Sequence, residues 1–181
     1  MKYIITNKQY QLLKEDEQKI LDIPSVDLFG GWDNLQEYLK RRGNPPYSIG
    51  GNLDLFNTPI QSLGNLISVG GYLDLRETPI QSLGNLQLVR GGLFLEGAPI
   101  QSLGNLQSVG KALFLGRTPI KSLGNLISVG GYLNLFGTEI KSLGNLISVG
   151  GDLDLKYTSI SKKMTEREIG EKINVEGEIY L

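Results

Sequence analysis

Neither cysteine nor histidine occurs among the 181 residues. Without cysteine, no disulfide framework and no thiolate metal site can form. Without histidine, Ser-His-Asp and Cys-His nucleophile systems, imidazole bases and His-ligated zinc or iron are all excluded. An excess of either charge is missing too: 18 Lys and Arg stand against 19 Asp and Glu, a formal net charge of -1. The balance also holds locally, with seven residues of each sign in 1–48 and seven of each in 49–160. The chain therefore lacks the electrostatic footprint expected of a binder of nucleic acid or of an anionic membrane surface. No apolar run approaches the roughly 18 residues that a membrane span needs. The opening Met1–Thr6 lacks an apolar stretch followed by a small-residue cleavage site, so a soluble cytoplasmic protein is the expectation.

What is present is a repeat. In rows of twenty from Ile49 the sequence aligns without an insertion. LDLFNTPIQSLGNLISVGG is followed by LDLRETPIQSLGNLQLVRG, LFLEGAPIQSLGNLQSVGK, LFLGRTPIKSLGNLISVGG and LNLFGTEIKSLGNLISVGG; a last LDLKYTSI begins at Leu153. A fixed period of this kind marks a solenoid. Six apolar columns recur, represented in the first coil by Leu53, Leu55, Ile60, Leu63, Leu66 and Val69. L-x-L reads as a short strand with both leucines inward and alternate residues outward. The three-residue steps that follow are expected to carry the chain round the far side in tight turns. Six buried aliphatic side chains contribute on the order of 10–15 kcal/mol per coil. Ordering twenty residues costs about 20–40 kcal/mol in backbone entropy. A single coil cannot stand alone, and stability must come from stacking.

The pattern L-x-L-x-x-T-x-I-x-x-L-x-x-L-x-x-V over 49–160 resembles the leucine-rich-repeat family. That resemblance implies an α/β repeat solenoid with one parallel β-sheet, used for protein–protein interaction. Two departures accompany it. The family's inward asparagine is replaced by Thr58, Thr78, Thr118, Thr138 and Thr158, and by Ala98 in one coil. A Gly-Gly pair after the valine replaces the leucine expected before the strand.

The ends of such a stack need covers. Residues 1–48 read as an N-terminal helical cap: an amphipathic helix over 7–20 with Thr6 as N-cap, a strand at Val26–Leu28, and a helix across Asn34–Arg41. Asp33 would cap that second helix, and Gly43 and Pro45-Pro46 would end it. Residues 161–181 read as a capping coil, with a short helix opened by a Thr165/Glu168 capping box and a final strand at Ile179–Leu181.

Outward positions of the L-x-L strands form a ladder with rungs about 4.8 Å apart. The inward columns hardly vary, whereas this face varies and is rich in aromatic residues. Phe94 and Phe114 are expected on adjacent rungs, with Tyr72, Tyr132 and Phe136 around them and Asp74, Arg76, Glu96 and Asn134 as polar neighbours. These nine are the candidate partner-binding residues, since an exposed aromatic patch of several hundred Å² marks an interaction site. With side chains directed away from the leucine core, Phe94 and Phe114 are expected to contribute little to stability. Departures from the chain's own consensus cluster between 88 and 117, as either a site cut into a regular scaffold or drift would produce.

Competing chemistry finds less support. A threonine array for ice is interrupted by Ala98. Gly-Gly-Asp-Leu-Asp-Leu at 150–155 lacks the third glycine of calcium-binding β-roll repeats, and no metal or cofactor is expected. Asp54 and Asp74 sit one rung apart, near the spacing of retaining glycosidases, but so do neighbouring carboxylates on any solenoid. No enzyme is expected. The reading is a binding scaffold for a protein partner of unknown identity. Its alternatives are a glycan-binding module on the same face and a structural protein that self-associates side by side.

Overall fold

The computed structural model describes residues 19–181. Most of the helix expected over 7–20 lies outside the described residues.

The coils stack as a parallel β-solenoid whose strands form two sheets. Sheet A has eight strands, running from Leu21–Ile23 through Tyr47–Ile49, Leu66–Val69 and one short strand per coil to Asn174–Val175. Sheet B has seven, from Leu53–Asp54 through Leu93–Phe94 and Leu113–Phe114 to Ile179–Tyr180. The expectation of a single sheet is thus corrected. The stretch ending in each valine, expected to be a turn, pairs with its counterpart twenty residues away, as in Val129 with Val109 and Val149. The three-residue step hides this strand because its buried residues, Leu66 and Val69 in the first coil, lie three apart and show no period of two, whereas the short strands of sheet B lie within L-x-L. The register explains why the repeat tolerates no insertion. Leu73 and Leu75 donate N–H bonds of 2.9 Å to the carbonyls of Gly92 and Phe94 in the next coil. One extra residue would reverse which side chains face inward.

The inward columns form one continuous core from Ile23 to Ile173. Leu53, Leu55, Leu63, Leu66 and Val69 and their equivalents are nearly all fully buried, with Ile60 and Leu143, towards the two ends, only partly covered. Polar columns tie each coil internally or to its neighbour. Every threonine of the Thr column donates its hydroxyl to the leucine carbonyl three residues back, at 2.6–2.8 Å. The bond lies within the same coil. Asn85 donates to Asn65 Oδ1 at 3.1 Å, a cross-coil amide ladder that also engages Asn105 at 3.5 Å. Gly64, Gly84, Gly104, Gly124 and Gly144, one per coil before these asparagines, have φ of 57–59°. That left-handed turn costs residues with a Cβ roughly 1–2 kcal/mol.

Ala98 is buried in the Thr column, and among the described residues the Leu95 carbonyl there accepts only the Ala98 N–H, at 3.1 Å. Ala98→Thr is expected to restore the missing hydroxyl bond. It should raise stability by about 0.5–1.5 kcal/mol, measured by urea titration. A loss of stability would mean this coil has closed over the space its neighbours keep for a threonine.

At the N-terminal end, Val26–Phe29 is a 3-10 turn instead of the expected strand, capped by Ser25. The strand role falls to Leu21–Ile23, which pairs with Tyr47–Ile49. Helix α1, Trp32–Arg41, buries Leu35 and Leu39 in the core. Its N-cap is Gly31 without a side-chain cap bond, so Asp33 lies inside the first turn, where its charge favours the helix dipole. Tyr47 is fully buried, donates its hydroxyl to the Leu63 carbonyl at 2.8 Å and accepts from Gln36 at 3.1 Å. Burial pushes its pKa up to about 12. At the other end, helix α2, Glu166–Gly170, opens with the expected capping box between Thr165 and Glu168. Strands, more than helices, occupy both ends of the stack.

Candidate functional site

Both leucines of each L-x-L segment point into the core, so the residue between them stands on the outer face of sheet B. In two adjacent coils that residue is phenylalanine. Phe94 and Phe114 are register partners, and their rings stack at 5.3 Å with 12° between planes. Local sequence makes the room. Gly92 and Ala112 precede them where other coils carry larger residues, and a Cβ on Gly92 would come within 3.1 Å of the Phe94 ring. The flanking coils exchange the arrangement, carrying Tyr72 and Tyr132 at the earlier position and Asp74 and Asn134 in the Phe column. Tyr72 meets Phe94 edge-on at 6.4 Å, and Tyr132 meets Phe114 edge-on at 5.6 Å. Four rings from four consecutive coils therefore form one ladder, each ring partly buried and partly open to solvent.

The polar candidates divide into two groups. Asp74 is only 5 % exposed, because the Arg76 guanidinium closes over its carboxylate with three hydrogen bonds, at 3.0, 3.1 and 2.5 Å. The same guanidinium lies 5.4 Å from the Phe56 ring and 5.5 Å from Phe94. Its hydrogen bonds to Asp74 hold Arg76 above the ordinary guanidinium pKa. Arg76, not Asp74, is therefore what a visitor meets at that end of the ladder. Asp54, Asp74, Asn134 and Asp154 share a second duty: each accepts the backbone N–H two residues on, at 2.9–3.1 Å. This Asx turn ends the strand and explains the column.

Glu96, Asn134 and Phe136 meet elsewhere, around a hollow of about 460 Å³ with Glu77, Gly97, Gly116, Arg117 and Asp154. Gly116 creates it by having no side chain in a column otherwise filled by Phe56, Arg76, Glu96, Phe136 and Lys156. One carboxylate oxygen of Glu96, Oε2, is shielded from solvent and has no hydrogen-bond partner among the described residues. Phe136 packs against Tyr157 at 5.0 Å, with the Arg117 guanidinium 5.7 Å from its ring. Tyr132 joins the two groups through its hydroxyl, 3.3 Å from Asp154 Oδ2. Burial, with the Asp154 charge second, raises the Tyr132 pKa to about 12, so the phenol stays protonated at neutral pH.

Glu77, Arg117 and Tyr157 were not among the expected residues. They occupy the turn after the strand with φ of 57°, 61° and 61°. Strand alternation says nothing about side chains at left-handed positions. The available signal was that Asn57, Gly97 and Gly137 share the column, since asparagine and glycine favour that conformation.

The coils also segregate charge. Sheet B and the turn after it carry Asp54, Asp74, Glu77, Glu96, Asp152 and Asp154 against Arg76, Arg117 and Lys156. The rest of the coils carries Arg90, Lys111, Lys121 and Lys141 against Glu139. The balance read from the sequence conceals an acidic aromatic face and a basic remainder. Among the described residues no group of three or more carboxylates is placed to hold a metal ion, and no helix is long and apolar enough to cross a membrane. Comparison with family models, with curated proteins and with solved structures returns no match to this chain.

Proposed function

We propose that this chain is a non-catalytic scaffold that binds a protein partner through the outer face of sheet B. The observation that carries the reading is the continuous ladder Tyr72–Phe94–Phe114–Tyr132 in the middle of the stack. Aromatic residues supply large contact area at low entropic cost, and central aromatic anchors dominate interface energetics. Arg76 and Glu96, on successive coils beside the ladder, and Asn134, the register partner of Phe114, give the apolar centre a charged and polar rim. Asp74 acts as the group that positions Arg76. Three carboxylates of this face are poor candidates for catalysis, because Asp74 is covered and Asp54 and Asp154 are committed to turns. The resemblance to leucine-rich repeats is in keeping with this mode of use and belongs to the same proposal.

The face carries six carboxylates against three cations, so the partner surface should be basic. Electrostatic steering then sets the rate of encounter, while the aromatic centre sets residence time. The test is capture from host lysate on the immobilised chain, with mass spectrometry of retained proteins and rate measurements on the purified partner. Raising ionic strength from about 0.05 to 0.5 M should slow association severalfold and leave dissociation nearly unchanged, because screening acts on the rim charges. A retained partner indifferent to both salt and loss of Phe94 and Phe114 would exclude this face.

A further inference from the structure

We infer a second binding site, remote from sheet B, that takes a small amphiphile with an anionic head and an aliphatic tail. It lies where the repeat breaks off at the C-terminal end, on the side of the coil that joins the two sheets. The column that buries Leu63, Leu83, Leu103 and Leu123 reaches Leu143 and is then occupied by Lys163. Leu143 loses its cover and is only partly buried. The chain instead sends Met164 and helix α2 across the gap, and their fit is incomplete. Two adjoining hollows of about 310 and 390 Å³ remain, sharing Lys141, Ile160 and Met164. Each is at the small end of the range of ligand pockets, which runs from about 300 to 1,000 Å³.

The chemistry of the two hollows is divided between floor and rim. Leu143, Ile160, Met164, Ile169 and Ile173 supply apolar walls. Lys141, Lys162, Lys163 and Lys172 supply the cations, and among the described residues no carboxylate lines either hollow. None of the four lysines is in an ion pair among the described residues. Glu168, which the Lys172 charge reaches, has its Oε2 held by the Thr165 backbone N–H at 2.8 Å and hydroxyl at 2.9 Å. A cleft of low dielectric walled by one sign of charge concentrates the opposite charge at its mouth. Neutral amphiphiles gain only the apolar contacts, and cationic ones meet four ammonium groups. An aliphatic carboxylate satisfies both parts. The lysines contribute this preference by position: the same column holds Gln61, Gln81 and Gln101 before Lys121 and Lys141, so positive charge gathers towards this end.

The chain contains two methionines, Met1 and Met164, so the Met164 methyl is a direct reporter. The experiment titrates the full chain, labelled with ¹³C at the methionine methyls, with octanoate, 1-octanol and octyltrimethylammonium below their micelle concentrations. Octanoate should shift the Met164 methyl saturably, at least about tenfold more tightly than octanol, with no saturable effect of the cation. Lys141→Gln with Lys162→Gln should weaken octanoate about tenfold while the thermal melt is unchanged, because both lysines are exposed. An unmoved Met164 methyl, or equal response to all three compounds, overturns the assignment. A double Phe94→Ala and Phe114→Ala variant should bind octanoate as the parent does, which keeps this result separate from the fate of the sheet B proposal.

Discussion

Removal of residues 1–48 is expected to leave a chain that aggregates instead of folding. The deleted segment contributes Ile23, Leu35, Leu39 and Tyr47 to the core, all at most 3 % exposed. Burying four such side chains is worth about 6–12 kcal/mol, comparable with the whole stability of a domain. Part of this is offset, because the deleted residues no longer have to be ordered. What is not offset is the new end. Leu53 and Leu66 would face water, and the strand Leu66–Val69 would lose Tyr47 and Ser48, the register partners of Leu66 and Ser68, keeping only Ile49 opposite Val69. An apolar, unpaired strand edge is a template for pairing with other chains. Light scattering and far-ultraviolet circular dichroism at increasing protein concentration check this, with deletion of 121–140 as the control. The control removes one period and rejoins matching interfaces, so it should stay folded and monomeric with a lower melting temperature. A soluble monomeric 49–181 fragment would show that the N-terminal segment is not a cover, and an aggregating control would defeat the modular account.

The repeat made the inward half of the molecule readable before any coordinates. Leu53, Leu55 and Val69 and their equivalents announce themselves because an apolar column recurring at one spacing has no other economical explanation. The capping box at Thr165 was legible for a similar reason, since four residues contain the whole device. Sheet A was not legible, because its inward leucine and valine lie three residues apart and leave no alternation to detect, unlike the L-x-L of sheet B. At the N-terminal end, Leu21–Ile23 and Val26–Leu28 are equally plausible strands by composition. Pairing with Tyr47–Ile49, a tertiary fact, decides between them. At the candidate site, adjacency of Phe94 and Phe114 follows from the period alone. Closure of Arg76 over Asp74 and the hollow left by Gly116 depend on rotamers and on which side chains are missing, and a column count carries neither.

The two phenylalanines and their inward neighbour separate binding from folding. Leu95 is fully buried between coils, so Leu95→Ala should cost about 2–5 kcal/mol through lost burial and the cavity left behind. From the sequence, Phe94 stands outward over nothing and its removal should be nearly silent in a melt. The structure changes that expectation. The Phe94 ring stacks on Phe114 and meets Tyr72, and Arg76 lies over it. Aromatic contacts contribute about 0.5–1.5 kcal/mol each, so Phe94→Ala should cost about 1–2 kcal/mol, less than Leu95→Ala but measurable. Phe114→Ala should behave alike, because it meets Phe94 and Tyr132. Their effect on partner affinity should run the other way. Each should lose about 2 kcal/mol or more, roughly thirtyfold, whereas Leu95→Ala should bind normally wherever it remains folded. Urea titrations of the three variants, with partner titrations at a temperature where all are folded, measure both quantities. If Phe94→Ala destabilises as much as Leu95→Ala and leaves affinity untouched, the ladder is an outer layer of the core and sheet B is not the binding face. If it weakens binding thirtyfold at modest cost in stability, the rings are the anchors, and their stacking is what keeps them in place before the partner arrives.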